Sequence, residues 1–274
     1  MQEIEITRIE PRSSRFRFEL KEFWQHRELL YFLTWRDVKI RYKQTAIGVI
    51  WAVLQPILTT AIFTVLFGRF SGFDTGSVPY TVFALSGLMI WLYVHNALTV
   101  ASNSFVSNTN LVTKVYFPRL IVPIAAVLAG LFDLLFSFLV LIVVMAYYKV
   151  IPGTKIVLVP VFIVLSLLLA SALGVLFSAL NVRFRDIKFA LPFLLQVWMI
   201  ASPIIYPTSI LSDKWKTVFA LNPLTGLLDG LRSALFGTEF DWRVIGVSCV
   251  SLLVLMIVSL FIFRWMEDDF ADLI

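Results

Sequence analysis

Asp133 is the one clear carboxylate in the middle of a long apolar run of this 274-residue chain. A charge buried in hydrocarbon is costly, so an acid in such a place needs a partner, a proton or a function. Two readings stand for it. It is structural, protonated or hydrogen-bonded to a polar group on another run such as Gln55, Asn96 or Gln196, or it touches a substrate or a gate. Ion-coupled carriers relay charge through several such groups, and one Asp is thin support for that chemistry. The histidines, His26 and His95, are isolated and read as interfacial or packing residues. Cys249 is the single cysteine, so neither a disulfide nor a cysteine metal site can be built within one chain. No glycine is followed by lysine, so there is no GxxxxGK[ST] phosphate loop, and G-x-S-x-G and H-E-x-x-H are absent too. The sequence offers no catalytic residue, no metal site and no cofactor site of its own.

The elements that hold Asp133 explain this. Hydrophobic residues make up 59% of the chain and charged ones 15%, far below the roughly 25% of soluble domains. The mean hydropathy is +0.87. Six stretches, about 46–68, 80–101, 120–147, 156–181, 189–207 and 244–263, meet or approach the ~20 apolar residues that cross a bilayer as a helix. Only helices or closed barrels satisfy their backbone there. The fold class is an all-α polytopic membrane protein with six transmembrane helices. It divides into a cytoplasmic N-terminus (1–45), a transmembrane domain (46–263) and a cytoplasmic tail (264–274). The first apolar run follows a long charged segment, unlike a cleaved signal peptide. With the N-terminus inside, sixteen Lys and Arg lie on the inner side and seven on the outer, which places both termini in the cytoplasm. That distribution also accounts for the net charge of +5 without nucleic acid.

Pro192, Pro203 and Pro207 predict a kinked fifth span that breaks at Ser202-Pro203. In Leu20–Tyr42, the residues Leu20, Phe23, Trp24, Tyr31, Trp35, Val38 and Tyr42 form one stripe at helical spacing, with Leu29, Phe32 and Leu33 off it. The stripe fits a helix in the cytoplasmic interface, or one packed on a partner. Leu224–Phe236, opened by Asn222-Pro223 and closed by Gly237, is too short to cross and reads as a re-entrant piece or a surface amphipathic helix. Asp229 and Arg232, at i and i+3, are placed to pair on it. Two inner connections carry distinct patterns. In Asn103–Arg119, polar residues precede a helix-compatible Leu111–Phe117 halted by Pro118. In Asn181–Lys188, the residues Arg183, Arg185 and Asp186 are placed for an ion-pair corner. Each alone also reads as a plain charged turn.

Taken together these stretches resemble a known family. Arg36–Thr45 (RDVKIRYKQT) with Gly48, Trp51 and Pro56 is similar to the opening signature of the membrane subunit of type-2 ABC exporters for polysaccharides. Leu111–Arg119 (LVTKVYFPR), Leu180–Ile187 (LNVRFRDI), Ser202–Pro207 (SPIIYP) and Leu221–Leu224 (LNPL) resemble its later motifs, in the same order. The likeness runs from about residue 20 onward and is nearest to Wzm-type O-antigen permeases, with teichoic-acid and capsule permeases close by. It implies a homodimer working with two copies of a separate ATPase, which binds the ATP and Mg, and an undecaprenyl-diphosphate-linked polysaccharide as substrate. It implies a multi-pass protein of the bacterial inner membrane. It makes Asn103–Pro118 the coupling helix, with Asn108, Asn110, Leu111, Lys114, Tyr116 and Phe117 facing the ATPase. Leu20–Tyr42 becomes the interface helix. Pro223–Gly237 becomes the outer closure, with Asn222, Pro223, Asp229 and Arg232 at its gate.

Two further expectations follow. Arg36, Lys39, Arg41 and Lys43 stand where they would attract the lipid diphosphate, or would simply set topology, at roughly 1 kcal/mol each toward anionic lipid. Aromatic rings make up 15% of the chain and suit the C–H faces of a sugar polymer. Trp51, Trp91, Tyr93, Trp198 and Tyr206 are the channel-lining candidates, against membrane-interface belting as the alternative. A membrane-embedded glycan enzyme would need acid, base or His groups clustered at one depth, and a secondary transporter or flippase would show inverted repeats and more buried charge. Neither pattern is found.

Overall fold

A computed structural model describes residues 20–43, 46–68, 73, 75–76, 78–267 and 270, with side chains from Phe23 and, after the break at 44–45, from Gly48. The segment before Leu20, the Gln44-Thr45 end of the first motif, Arg69 and most of the tail lie outside the described residues. Every regular element described is helical. The first is α1 (Leu20–Gln25), separated by His26 from α2 (Arg27–Tyr42). Then come α3 (Ala46–Phe63), which runs on through a wider turn at Thr64–Gly68, and α4 (Tyr80–Ser102). Two short helices follow, α5 (Ser104–Ser107) and α6 (Thr109–Lys114). The pair α7 (Ile121–Ala129) and α8 (Leu131–Tyr147) is nearly continuous. Next are α9 (Val159–Arg183), α10 (Ile187–Ile200), α11 (Asp213–Ala220), α12 (Pro223–Phe236) and α13 (Trp242–Glu267).

Among the described residues, five segments are long and apolar enough to cross a membrane: Gly48–Gly68, Tyr80–Ser102, Ile121–Tyr147, Thr154–Arg183 and Trp242–Glu267. The expected fifth span is different. Its helix α10 stops at Ile200, about 21 Å long at 1.5 Å per residue, short of the ~30 Å hydrocarbon layer. Turns replace it from Ala201, ahead of the Ser202-Pro203 step, because a proline offers no N–H and disfavours a helical residue before it.

The helix α4 is the axle of the bundle. It is buried over most of its length, packs on α3, α7, α8, α9 and α12, and presents Ala84, Ser86, Gly87, Ala97 and Ala101. Small side chains let apolar helices approach closely where there is no hydrophobic drive to associate. At Gly174 of α9 an added Cβ would lie 3.0 Å from Ala101 Cβ. A second core closes the end of the bundle that carries α2, α5, α6 and the end of α13. It gathers Leu33, Phe105, Val112, Phe117, Leu120, Val182, Phe263 and Phe270. We call this the basic end, and the opposite one the far end. Large apolar side chains elsewhere face outward, such as Ile50 and Ile62 on α3, Phe193 and Ile200 on α10, and Leu253 and Ile257 on α13. In a membrane those faces meet lipid or another chain.

The interface-helix stripe resolves into two faces. Leu33 and Val38 are buried, with Leu29 and Leu30 packed against the same core, whereas Trp24, Tyr31, Phe32 and Trp35 are exposed. Of the residues off the aromatic stripe, Leu29 and Leu33 hold the helix to the protein and Phe32 does not, while Phe23 and Val38 of the stripe itself turn inward.

Candidate functional site

A cleft of about 450 Å³ opens between α2, α3, α4 and α8, lined by Arg41, Tyr42, Trp51, Gln55, Tyr93, His95, Asn96, Thr99, Asp133 and Ser137, among others. Asp133 comes from the first turn of α8, half-way along the third span, and Arg41 and Tyr42 from the last turn of α2. The helix α2 packs along α7 so that Trp35 meets Phe132 and Tyr42 meets Phe136, at 6.3 and 5.9 Å between ring centroids. Its C-terminal end thereby reaches Asp133. One carboxylate oxygen accepts from Arg41 Nη1 and the other from Tyr42 Oη. The expected partners Gln55, Asn96 and Gln196 are not the ones used. Arg41, read as a cation at the membrane surface, is instead committed to this acid. Burial, with the bond to Asp133 adding to it, pushes the Tyr42 hydroxyl's pKa up, so it keeps its proton and donates.

The channel-lining candidates separate. Trp51 is 55% exposed and lines the cleft, whereas Trp91 and Tyr93 are 3% and 1% exposed. Trp91 therefore packs inside the chain, edge-on to Trp198 at 5.6 Å, and Tyr93 only floors the cleft. Trp198 Nε1 donates to Asn222 Oδ1 at 3.0 Å, and half-buried Tyr206 donates to Ile200 O at 3.3 Å. His95 lies in the cleft wall beside Asn96, a position its isolation in sequence gave no sign of.

The far end is built around the broken fifth span. Asn222 caps α12 by accepting from Leu224 N and donates to Ser202 Oγ, with Pro223 in the first turn and Gly237 closing the helix at φ +75°. Arg232 is buried. It donates to Pro203 O at 2.7 Å and to Ile204 O at 2.6 Å, and its guanidinium carbon lies 3.7 Å from the Phe83 ring centre. Tyr80 Oη adds a bond to Ile205 O at 2.8 Å. Buried backbone outside a helix needs hydrogen-bond partners from the protein, and Arg232 supplies them here. The expected Asp229–Arg232 pair does not form, because Arg232 turns to these carbonyls while Asp229 accepts from Thr208 Oγ1 at 2.8 Å. Burial raises the Asp229 carboxyl pKa and lowers that of Arg232 to about 9, so the guanidinium stays charged at neutral pH.

At the basic end the expected helix Leu111–Phe117 is shorter and shifted. The helix α6 ends at Lys114, and Val115 is extended. Asn110, Thr113, Lys114 and Tyr116 are exposed, Tyr116 at 79%, whereas Val112 and Phe117 are buried in the second core with Leu111 against it. Asn108 donates to Ser104 O at 2.8 Å. An outward knuckle thus stands on an inward anchor. The ion-pair corner of the other connection does not form among the described residues, since Arg183 lies over the Trp265 ring at 5.1 Å. On α2, Arg36 pairs with Asp37 at 2.8 Å, Lys39 lies over Trp35, and Lys43 is exposed.

The comparisons bear on this arrangement as a whole. A sequence profile described as ABC-2 type transporter matches residues 28–236. The chain is 27% identical over 257 residues to the O-antigen export system permease protein RfbA of Myxococcus xanthus, covering 92% of this chain and 98% of that one. It is 25% identical over 248 residues to the protein of the same name from Klebsiella pneumoniae, at 90% and 95% coverage. It is 24% identical over 235 residues to the polysialic acid transport protein KpsM of Escherichia coli, at 83% and 87%.

Proposed function

This chain belongs to the ABC-2 type transporter family, and on that premise we propose that it is the membrane-spanning permease of an ATP-driven exporter that moves a lipid-linked O-antigen-type polysaccharide across the bacterial inner membrane. The observation that carries the polymer assignment is the cleft at Asp133. It sets Gln55, Asn96, Ser137 and the half-exposed Trp51 at membrane depth, and those groups can hydrogen-bond a sugar and stack on its ring. Two such chains would face each other across the conduit. The helix α10 would be the fifth of six crossings, α11 and α12 would re-enter to close its outer mouth, and both termini would lie in the cytoplasm.

On this reading the drive comes from two copies of a separate ATPase that would bind the ATP and Mg, as the family membership suggests. Asn110, Lys114 and Tyr116 form the surface they would push. Their anchor, Val112 and Phe117, shares a core with Leu33 of α2 and Phe263 of α13, so a push there moves three elements together. Coupling follows if the nucleotide state changes the relative energy of the closed and open bundles. Arg36, Lys39 and Lys43 would meet the lipid diphosphate at the surface, with Arg41 set deeper against Asp133. The likeness to KpsM favours a capsular polymer as the second reading, at lower identity and coverage.

The test is removal of the chain from its host. Lipid-linked polymer should then accumulate in the cytoplasm and disappear from the surface, with both restored by the intact chain. Normal surface polymer in its absence would dismiss the assignment.

A further inference from the structure

A notch of about 250 Å³ lies at the basic end, between the connection that follows α4 and the one that joins α9 to α10. Asn103, Thr109, Asn181, Arg185 and Lys188 line it together with Val106 and Val182. Asn181 ties the two connections together, donating to Ser102 O at 2.9 Å and to Asn103 Oδ1 at 3.3 Å. Arg185 and Lys188 are both exposed, and among the described residues neither forms an ion pair. Lys188 Nζ only covers the ring of its neighbour Phe189, at 4.8 Å. Asp186 sits between the two cations in sequence and is paired with neither. Two cations therefore line a mixed polar and apolar notch for which the described chain supplies no carboxylate.

We infer that this notch is a socket for an acidic side chain of the ATPase subunit, an inference that rests on the exporter reading above. The notch adjoins the knuckle of Asn110, Lys114 and Tyr116, away from the apolar faces that meet lipid, and it suits one side chain rather than a folded ligand. A carboxylate seated there would meet the two cations, a charge-assisted set stronger than an exposed ion pair, while the Asn103 and Asn181 amide N–H groups stay bonded to Thr99 O, Ser102 O and Asn103 Oδ1. Its hold on the second connection would pass to the first through the bonds of Asn181 to Ser102 O and Asn103 Oδ1. A push from the ATPase would then reach α4 through Asn103 and the loosely packed α10 through Lys188, instead of α4 alone.

The experiment co-expresses the tagged chain with its cognate ABC ATPase subunit and measures the ATPase retained on purification in detergent. R185E/K188E should retain at least about thirtyfold less than the wild type, the low end of the loss when one partner of a hydrogen-bonded charge pair is removed. R185Q/K188Q should retain an intermediate amount, and R243Q at the far end should retain all of it. Should the Glu pair fail to give a monodisperse protein, the Gln pair decides. Full retention by a folded double variant overturns the socket. So does full ATPase retention with lost binding to vesicles of anionic lipid, which would give the notch to a lipid phosphate. A wild-type chain that retains no ABC ATPase defeats the exporter reading beneath it, and the two failures are distinct.

Discussion

Arg232 and Gly87 lie on opposite sides of one contact, and substituting them tests the account of the broken span. Arg232→Met strands the carbonyls of Pro203 and Ile204, at about 1–3 kcal/mol for each buried acceptor, and removes a cation–π contact worth about 2 kcal/mol when desolvated. Relief of the buried charge offsets part of that, leaving a loss on the order of 3 kcal/mol. Gly87→Ala attacks from the other side. Its Cβ would sit 2.5 Å from Arg232 Nη2 and 2.6 Å from Ile204 O, and the second atom is backbone that cannot swing away. The same segment has to shift, so the second substitution should cost less once the first is made. The double variant should fall short of additivity by more than about 1 kcal/mol. Thermal unfolding followed by size-exclusion in detergent reads all three. Single variants as stable as the wild type, or strictly additive losses, would refute the claim that Arg232 satisfies this backbone.

Other consequences are as direct. Asp133→Asn removes the carboxylate that accepts from Arg41 and Tyr42 and should cost about 1–3 kcal/mol in the same thermal assay, with much of it recovered in the apolar pair R41M/D133L. Phe117→Ala should destabilise by about 3–5 kcal/mol, because its ring is buried in the second core. Tyr116→Ala together with Asn110→Ala should leave stability unchanged and reduce polymer export; unimpaired export with normal ATPase assembly would remove that knuckle from the coupling surface. Trp51→Ala should leave the unfolding temperature within a degree or two and lower export severalfold, measured as surface polymer per cell.

The long apolar runs were legible in the sequence because charge is excluded from them, and five of the six expected spans match a helix long enough to cross. The expected fifth span was legible only as a break: the prolines mark where α10 has to end, but not that α12 would turn its Arg232 back to the freed carbonyls. That contact joins Arg232 to residues 28 and 29 positions away, and Arg41 reaches Asp133 across 92. Local spacing carries no trace of such partners, which is why Asp133 was matched to neutral amides and Asp229 to Arg232. The aromatics failed for a different reason. In a chain that meets lipid outside and packs helices inside, both environments select the same side chains, so Trp51 and Trp91 look alike in sequence and differ only in the fold.

The central claim is that this chain conducts a polymer and takes its energy from another polypeptide. It is tested most directly in proteoliposomes loaded with lipid-linked polysaccharide, with and without the cognate ATPase. ATP-dependent translocation should occur with both proteins present, and neither ATP hydrolysis nor transport with this chain alone. Nucleotide hydrolysis by the purified chain, or polymer movement driven by a proton gradient, would contradict it.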